Sequence, residues 1–147
     1  MKKKPFVVLM AEDNEHDVIA TERAWKKNNI VNPLHIVNDG EECMDYLRQC
    51  GKYSEPESAP KPSILLLDIK MPKMDGLAVL KQIREDDKLR LLPVIILTTS
   101  KDEEDRIRSY DLGVNAYIQK PVGFQSFSDA VKRINLFWEL VEFPEGD

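Results

Sequence analysis

The sequence predicts an α/β fold: a five-stranded parallel sheet, doubly wound, with five helices. Two observations predict it. Five short strand-like runs alternate with five segments of helical period. Three of those runs are apolar almost without a break, the pattern of strands covered on both faces rather than on one.

The first strand is expected over Phe6–Ala11 ("FVVLMA"), the second over Leu34–Val37 ("LHIV") and the third over Ser63–Asp68 ("SILLLD"). The fourth is expected over Pro93–Thr99 ("PVIILTT") and the fifth over Asn115–Lys120 ("NAYIQK"). Between them, the segment from about Asn14 to Asn28 has helical period, with Asn14 as its cap and Val18, Ala24 and Trp25 facing inward. A second helix is expected from Gly40 to Cys50, with Cys43, Met44 and Leu47 on one face. A third follows in "GLAVLKQIRED", where Leu77, Leu80 and Ile83 share a face. The fourth, "DEEDRIRSYDLG", opens on acids and closes on Gly113, as the helix dipole and glycine caps favour. The fifth is "FQSFSDAVKRINLFWELV". The Pro/Ser-rich stretch Cys50–Ser63 reads as a surface loop inside one domain spanning 1–147, since neither side of it is complete alone.

Composition narrows the function. The 147 residues carry a formal net charge of −5, which argues against a nucleic-acid surface. No stretch reaches the roughly 20 apolar residues that span a bilayer, so no membrane partner is expected. Cys43 and Cys50 suit a reducing cytoplasm better than a disulfide framework, and their spacing suits no zinc site.

Charged and polar residues then fall at strand ends. Glu12 and Asp13 close the first strand, Asp68 the third, Thr98 and Thr99 the fourth, and Lys120 the fifth. With strand order 2-1-3-4-5, strands one and three flank the switch point where open α/β sheets bind ligands. Glu12, Asp13 and Asp68 then converge. Three crowded carboxylates call for a hard cation, and oxygen ligands with room for water suit Mg²⁺. Lys120 adds positive charge from the far side, and the Thr98 hydroxyl can donate to an oxyanion beside Asp68. Together these make a phosphoryl-accepting site with Asp68 as nucleophile, because phosphoryl transfer needs mainly positioning and electrostatics. Taken singly, each feature has a plainer reading: Asp68 as a turn residue, Glu12–Asp13 as a helix start, Lys120–Pro121 as surface turn chemistry. The convergence of all four strand ends favours the site.

The motifs "MAEDNEHD", "LLLDIKMPKMDG", "PVIILTTS" and "AYIQKP" resemble those of the receiver domains of bacterial two-component response regulators, which have a flavodoxin-like fold. The resemblance runs from Phe6 to about Val141. It implies that Asp68 is phosphorylated by a partner histidine kinase. It implies Mg²⁺ on Glu12, Asp13, Asp68 and the main-chain carbonyl of Lys70, and a switch in which Thr98 moves and Tyr117 turns inward. It also implies a cis Lys120–Pro121 bond. "SYDLGVNAYIQK", followed by a helix containing "FW", is most similar to the small regulators paired with bacterial phytochromes. That finer resemblance implies a stand-alone receiver, dimeric through the face of helix four, strand five and helix five. Four positions depart from the commoner pattern: Glu12 for Asp, Thr99 for a smaller residue, Lys70 near the phosphoryl group, and Val122 after Lys120–Pro121.

The remaining candidates read as structural. His16 belongs on a helix surface, His35 in a strand, and Met71 and Met74 in packing or in the loop rather than in a binding site. Pro72 stiffens the loop after Asp68, and Gly76 permits a close backbone approach. The last helix, from Phe127 to Val141, is apolar around more of its girth than one face needs, which points to a homodimer.

Two other functions are weaker. An aspartate-nucleophile phosphatase needs an acid two residues after the nucleophile, where Lys70 stands. A nucleotide or flavin module needs a glycine-rich loop after strand one, where "AEDNEHD" is acidic. The chain therefore reads as a phosphoacceptor and not as a turnover enzyme.

Overall fold

A computed structural model describes residues 6–133. Five strands, β1 (Val8–Ala11), β2 (Leu34–Val37), β3 (Ile64–Asp68), β4 (Val94–Thr98) and β5 (Ala116–Gln119), alternate with α1 (Glu15–Lys27), α2 (Gly40–Arg48), α3 (Gly76–Glu85), α4 (Lys101–Arg108) and α5 (described over Phe124–Arg133). The sheet is parallel throughout, in the order β2-β1-β3-β4-β5. Strand and helix positions match expectation; apart from α4 and the C-terminal end of α5, the ends hold or shift inward by one or two residues. The cap of α1 is Asn14, whose side chain accepts the Asp17 N–H.

Alternation within the apolar strands explains why they look unbroken in sequence. Leu9, Leu65, Leu67 and Ile96 face one side, against Met44 of α2, Leu80 of α3 and Ile107 of α4. Val8, Met10, Leu66 and Ile95 face the other, against Trp25 of α1 and Phe127 and Val131 of α5. With helices on both faces, neither set can be polar.

One expectation is corrected. α4 ends at Arg108 with Ser109 as its cap, five residues before Gly113. Asp111 and Gly113 both take positive φ (51° and 67°), so the glycine serves the loop into β5 rather than the helix end. In α5, Phe127, Ala130 and Val131 are buried within the chain's own core, so these three need no partner subunit. Ile134 to Val141, the rest of the surplus apolar residues, lie outside the described residues. His16 is exposed, His35 is half-buried with its ring 6.0 Å from that of Tyr46, and Met71 is buried in the core.

Arg84 at the end of α3 ties two loops together. Its guanidinium donates to the carbonyls of Leu112 (2.7 Å), Gly113 (2.9 Å), Leu92 (2.8 Å) and Arg90 (3.0 Å). Burial lowers its pKa, as expected for a cation whose partners are carbonyl dipoles. Arg84→Ala should lower stability by about 2–3 kcal/mol, read as a lower urea midpoint at unchanged slope. Lys cannot reproduce the fork and should recover only part of the loss.

Candidate functional site

Register brings the acids together. Ala11 lies opposite Leu67, and the Glu12 N–H continues the ladder to the Val37 carbonyl at 2.9 Å. Glu12 therefore comes level with Asp68, one residue past the paired stretch. Both are almost wholly buried, whereas Asp13 turns out to solvent. Carboxylate oxygens of Glu12, Asp13 and Asp68 all lie within 4.8 Å of one another.

β5 delivers the cation. The Lys120 N–H donates to the Thr98 carbonyl at 2.9 Å, extending the β4–β5 ladder, and the Lys120–Pro121 bond is cis. Lys120 Nζ lies 2.8 Å from Glu12 Oε1, 3.1 Å from Asp68 Oδ1 and 3.1 Å from Asp17 Oδ2. Thr98 is buried at the end of β4, two residues past Ile96 and on the same sheet face. Tyr117 pairs with Ile96, so Thr98 and Tyr117 occupy diagonal positions on that face. The Tyr117 ring is half-buried beneath the Arg108 guanidinium, 4.1 Å away, which Glu104 holds at 2.8 Å.

The loop after Asp68 is shaped as Pro72 and Gly76 lead one to expect. The Gly76 N–H donates to the Ile69 carbonyl at 2.9 Å, and a Cβ on Gly76 would collide with the Asp68 main-chain carbonyl. Gly40 packs as closely against Met74, a constraint the sequence reading does not identify. Val122 is buried in the core, and Thr99 and Lys70 line the pocket over Asp68 and Lys120.

The electrostatics are those of crowding. Burial pushes the Glu12 carboxyl up to about 7; Lys120 opposes this, and the Asp68 charge adds to it. Asp68 is raised as well, by burial first. Burial also works against the Lys120 ammonium, but Glu12, Asp68 and Asp17 more than offset it, and its pKa rises. One cation thus serves three acids. Although Lys120 lies close to Glu12 Oε1, that buried oxygen has no aligned hydrogen bond among the described residues. An all-oxygen donor set with a spare buried lone pair fits a hard divalent cation.

Two residues escape sequence reasoning. Asp17 joins the site because the first turn of α1 carries it back over the strand ends; its spacing from the Asn14 cap is the legible signal. Glu103 stands four residues after Thr99 with the signature of a capping box, Ser100-x-x-Glu103. Its carboxylate accepts the Thr99 N–H at 3.1 Å and lies 3.8 Å from Lys70 Nζ.

Comparison with known proteins gives this arrangement a family. The response regulator receiver domain profile matches residues 8–132. Response regulator Rcp1 of Synechocystis sp. is 38% identical over 141 residues, covering 95% of this chain and 94% of its own. A structure of its Mn²⁺-bound form superposes with a TM-score of 0.71, over 95% of this chain and 99% of that one. The bacteriophytochrome response regulator AtBRR is 40% identical with a TM-score of 0.87, over 95% of this chain and 99% of its own. The phosphorylated cyanobacterial phytochrome response regulator RcpA is 38% identical with a TM-score of 0.73, over 92% and 94%. With the sheet order, the strand-end acids and the lysine in place, the chain belongs to the response regulator receiver domain family.

Proposed function

We propose that Asp68 accepts a phosphoryl group from a phosphohistidine on a sensor histidine kinase, and that the resulting phosphoaspartate switches a partner-binding face. The observation that carries this reading is the meeting of Glu12, Asp13, Asp68 and Lys120 from three strand ends in one pocket. An oxygen of Asp68 attacks phosphorus. The bond from phosphorus to the imidazole nitrogen breaks, and its electron pair leaves with the imidazole. Lys120, already 3.1 Å from Asp68 Oδ1, faces the negative charge gathered on the transferred group. The Thr98 hydroxyl takes one phosphoryl oxygen. Glu12, Asp13, Asp68 and the Lys70 carbonyl would hold Mg²⁺, which supplies further charge neutralisation when bound.

The Thr98–Tyr117 pair is the switch in this reading. Thr98 drawn toward the phosphoryl group leaves space on the face that Tyr117 shares, and α4 and β5 carry the change outward. We take the whole chain as one receiver unit acting in the cytoplasm, with two copies meeting through α4, β5 and α5. Unpaired Cys43 and Cys50 suit that compartment. No helix among the described residues is long and apolar enough to cross a membrane. The likeness of this chain to the bacteriophytochrome response regulator AtBRR and the phytochrome response regulator RcpA supports a phytochrome-type light-signalling kinase as the donor.

The test is incubation with a small phosphodonor and MgCl₂. The expected result is a mass gain of one phosphoryl group, labile to hydroxylamine and mapped to the peptide containing Asp68. A label on any other residue overturns the assignment.

Metal and proton should compete. Without a divalent ion, native Glu12 keeps a proton between about pH 4.5 and 7 that the unfolded chain has lost. Stability from this group is present at low pH and falls as pH rises toward 7. Cation binding replaces that proton, so MgCl₂ should stabilise the protein more near pH 8 than near pH 5, by about 1–2 kcal/mol in chemical denaturation. Glu12→Gln should flatten the metal-free slope.

A further inference from the structure

Glu103 has no part in the chemistry above, yet it holds two groups at the edge of the pocket. It lies in the first turn of α4 and is 8% exposed. One oxygen accepts the Thr99 N–H at 3.1 Å, and the other lies 3.8 Å from Lys70 Nζ. Thr99 and Lys70 come from different loops, after β4 and after β3, and both line the pocket around Asp68 and Lys120. A capping box alone does not require this. In such a box the acid returns to the N–H of the cap residue, here Ser100, whose hydroxyl oxygen accepts the Glu103 N–H at 3.1 Å. Glu103 instead reaches one residue further back, to a pocket residue, and meets a lysine from the neighbouring loop. Asp102 and Glu104 in the same turn already serve the helix dipole.

A phosphoryl group adds close to two negative charges and three acceptor oxygens. It would stand two residues from Lys70 and beside Thr99, so it competes with Glu103 for both. We propose that Glu103 is a positioning residue for phosphoryl uptake. It holds Lys70 and the Thr99 N–H while Asp68 is unmodified, and it yields them to the phosphoryl group. The inference rests on the phosphoacceptor reading of Asp68. In it, Glu103 opposes the modified state, and Lys70 acts through its ammonium as well as its main chain.

The test is calorimetric titration with beryllofluoride, a phosphoryl mimic, in MgCl₂. Glu103→Gln keeps an oxygen for the Thr99 N–H and removes the charge facing Lys70. It should bind about two- to fivefold more tightly than the wild type at low ionic strength. The gain should shrink toward none in about 1 M NaCl and should vanish in a Lys70→Ala background, where the pair is already broken. Glu103→Ala should gain more, because it also frees the Thr99 N–H. A merely structural Glu103 would do the reverse, with a lower melting temperature and weaker binding. Unchanged or weaker binding by Glu103→Gln overturns the assignment, as does a gain that persists in Lys70→Ala. If the wild type takes up no beryllofluoride, the phosphoacceptor reading falls and this inference with it. Wild-type uptake with no gain in Glu103→Gln overturns the role of Glu103 alone.

Discussion

Asp68→Asn should take up no phosphoryl group from any donor, and the metal-free protein should become more stable. Both effects come from the same carboxylate. The amide has no anionic oxygen to attack phosphorus, so labelling should fall to background while the fold persists. Asp68 is also an acid that burial raises, set beside Glu12 and within reach of a single shared lysine. Neutralising it removes one of three claims on Lys120 and a like charge beside Glu12, which should add about 1 kcal/mol of stability without Mg²⁺. With Mg²⁺ the advantage should shrink, since a cation bound at this cluster would lose a charged ligand. Intact mass after phosphodonor treatment and urea unfolding with and without MgCl₂ read the two halves. A labelled Asp68→Asn chain would remove Asp68 from its proposed role.

Lys120→Met should act in the opposite direction and more strongly. Lys120 is the cation shared by Glu12, Asp17 and Asp68, and its side chain is only 11% exposed. Removing it leaves buried carboxylates without their partner, a change that costs about 3–5 kcal/mol in buried pairs. The deficit should grow as pH rises from about 5 to 8, because more of these acids must then ionise unpaired. MgCl₂ should restore much of it, because a divalent cation held by the Glu12, Asp13 and Asp68 cluster would neutralise the same acids. A loss that is flat with pH and insensitive to Mg²⁺ would show that Lys120 serves packing rather than charge. Asp17→Asn should leave most of the stability in place, since Glu12 and Asp68 still hold the lysine.

The fold was legible because its signals are local and repeated. Ile64 to Leu67 is apolar at every position, and a strand with helices on both sides leaves no alternative. The second helix was legible from the spacing of Cys43, Met44 and Leu47. The end of α4 was not, since Gly113 looks like a cap in sequence while the chain leaves the helix at Ser109. Propensity marks where a turn is permitted, and tertiary contacts choose among the permitted places. The loop around Leu112 and Gly113 is held by Arg84 from α3, 28 and 29 residues earlier in the chain.

The same division runs through the site. Glu12, Asp13, Asp68, Thr98 and Lys120 are visible in sequence because each ends a strand, and parallel strands in a known order deliver their ends to one edge. Asp17 and Glu103 lie inside helices, where an acid ordinarily faces water, and the cap spacing that marks each of them does not say which distant group it meets. Their partners, Lys120 and Lys70, are 103 and 33 residues away.

The sheet, the helices on its two faces and the acids at its carboxyl edge follow from residue order alone, because burial and hydrogen-bonding periodicity are written residue by residue. How charge is shared there emerges with folding: one lysine among three carboxylates, and one buried glutamate holding two groups of the pocket. Coulombic and hydrogen-bond energies depend on distance and burial, and both are set by side chains that meet only after the chain has folded.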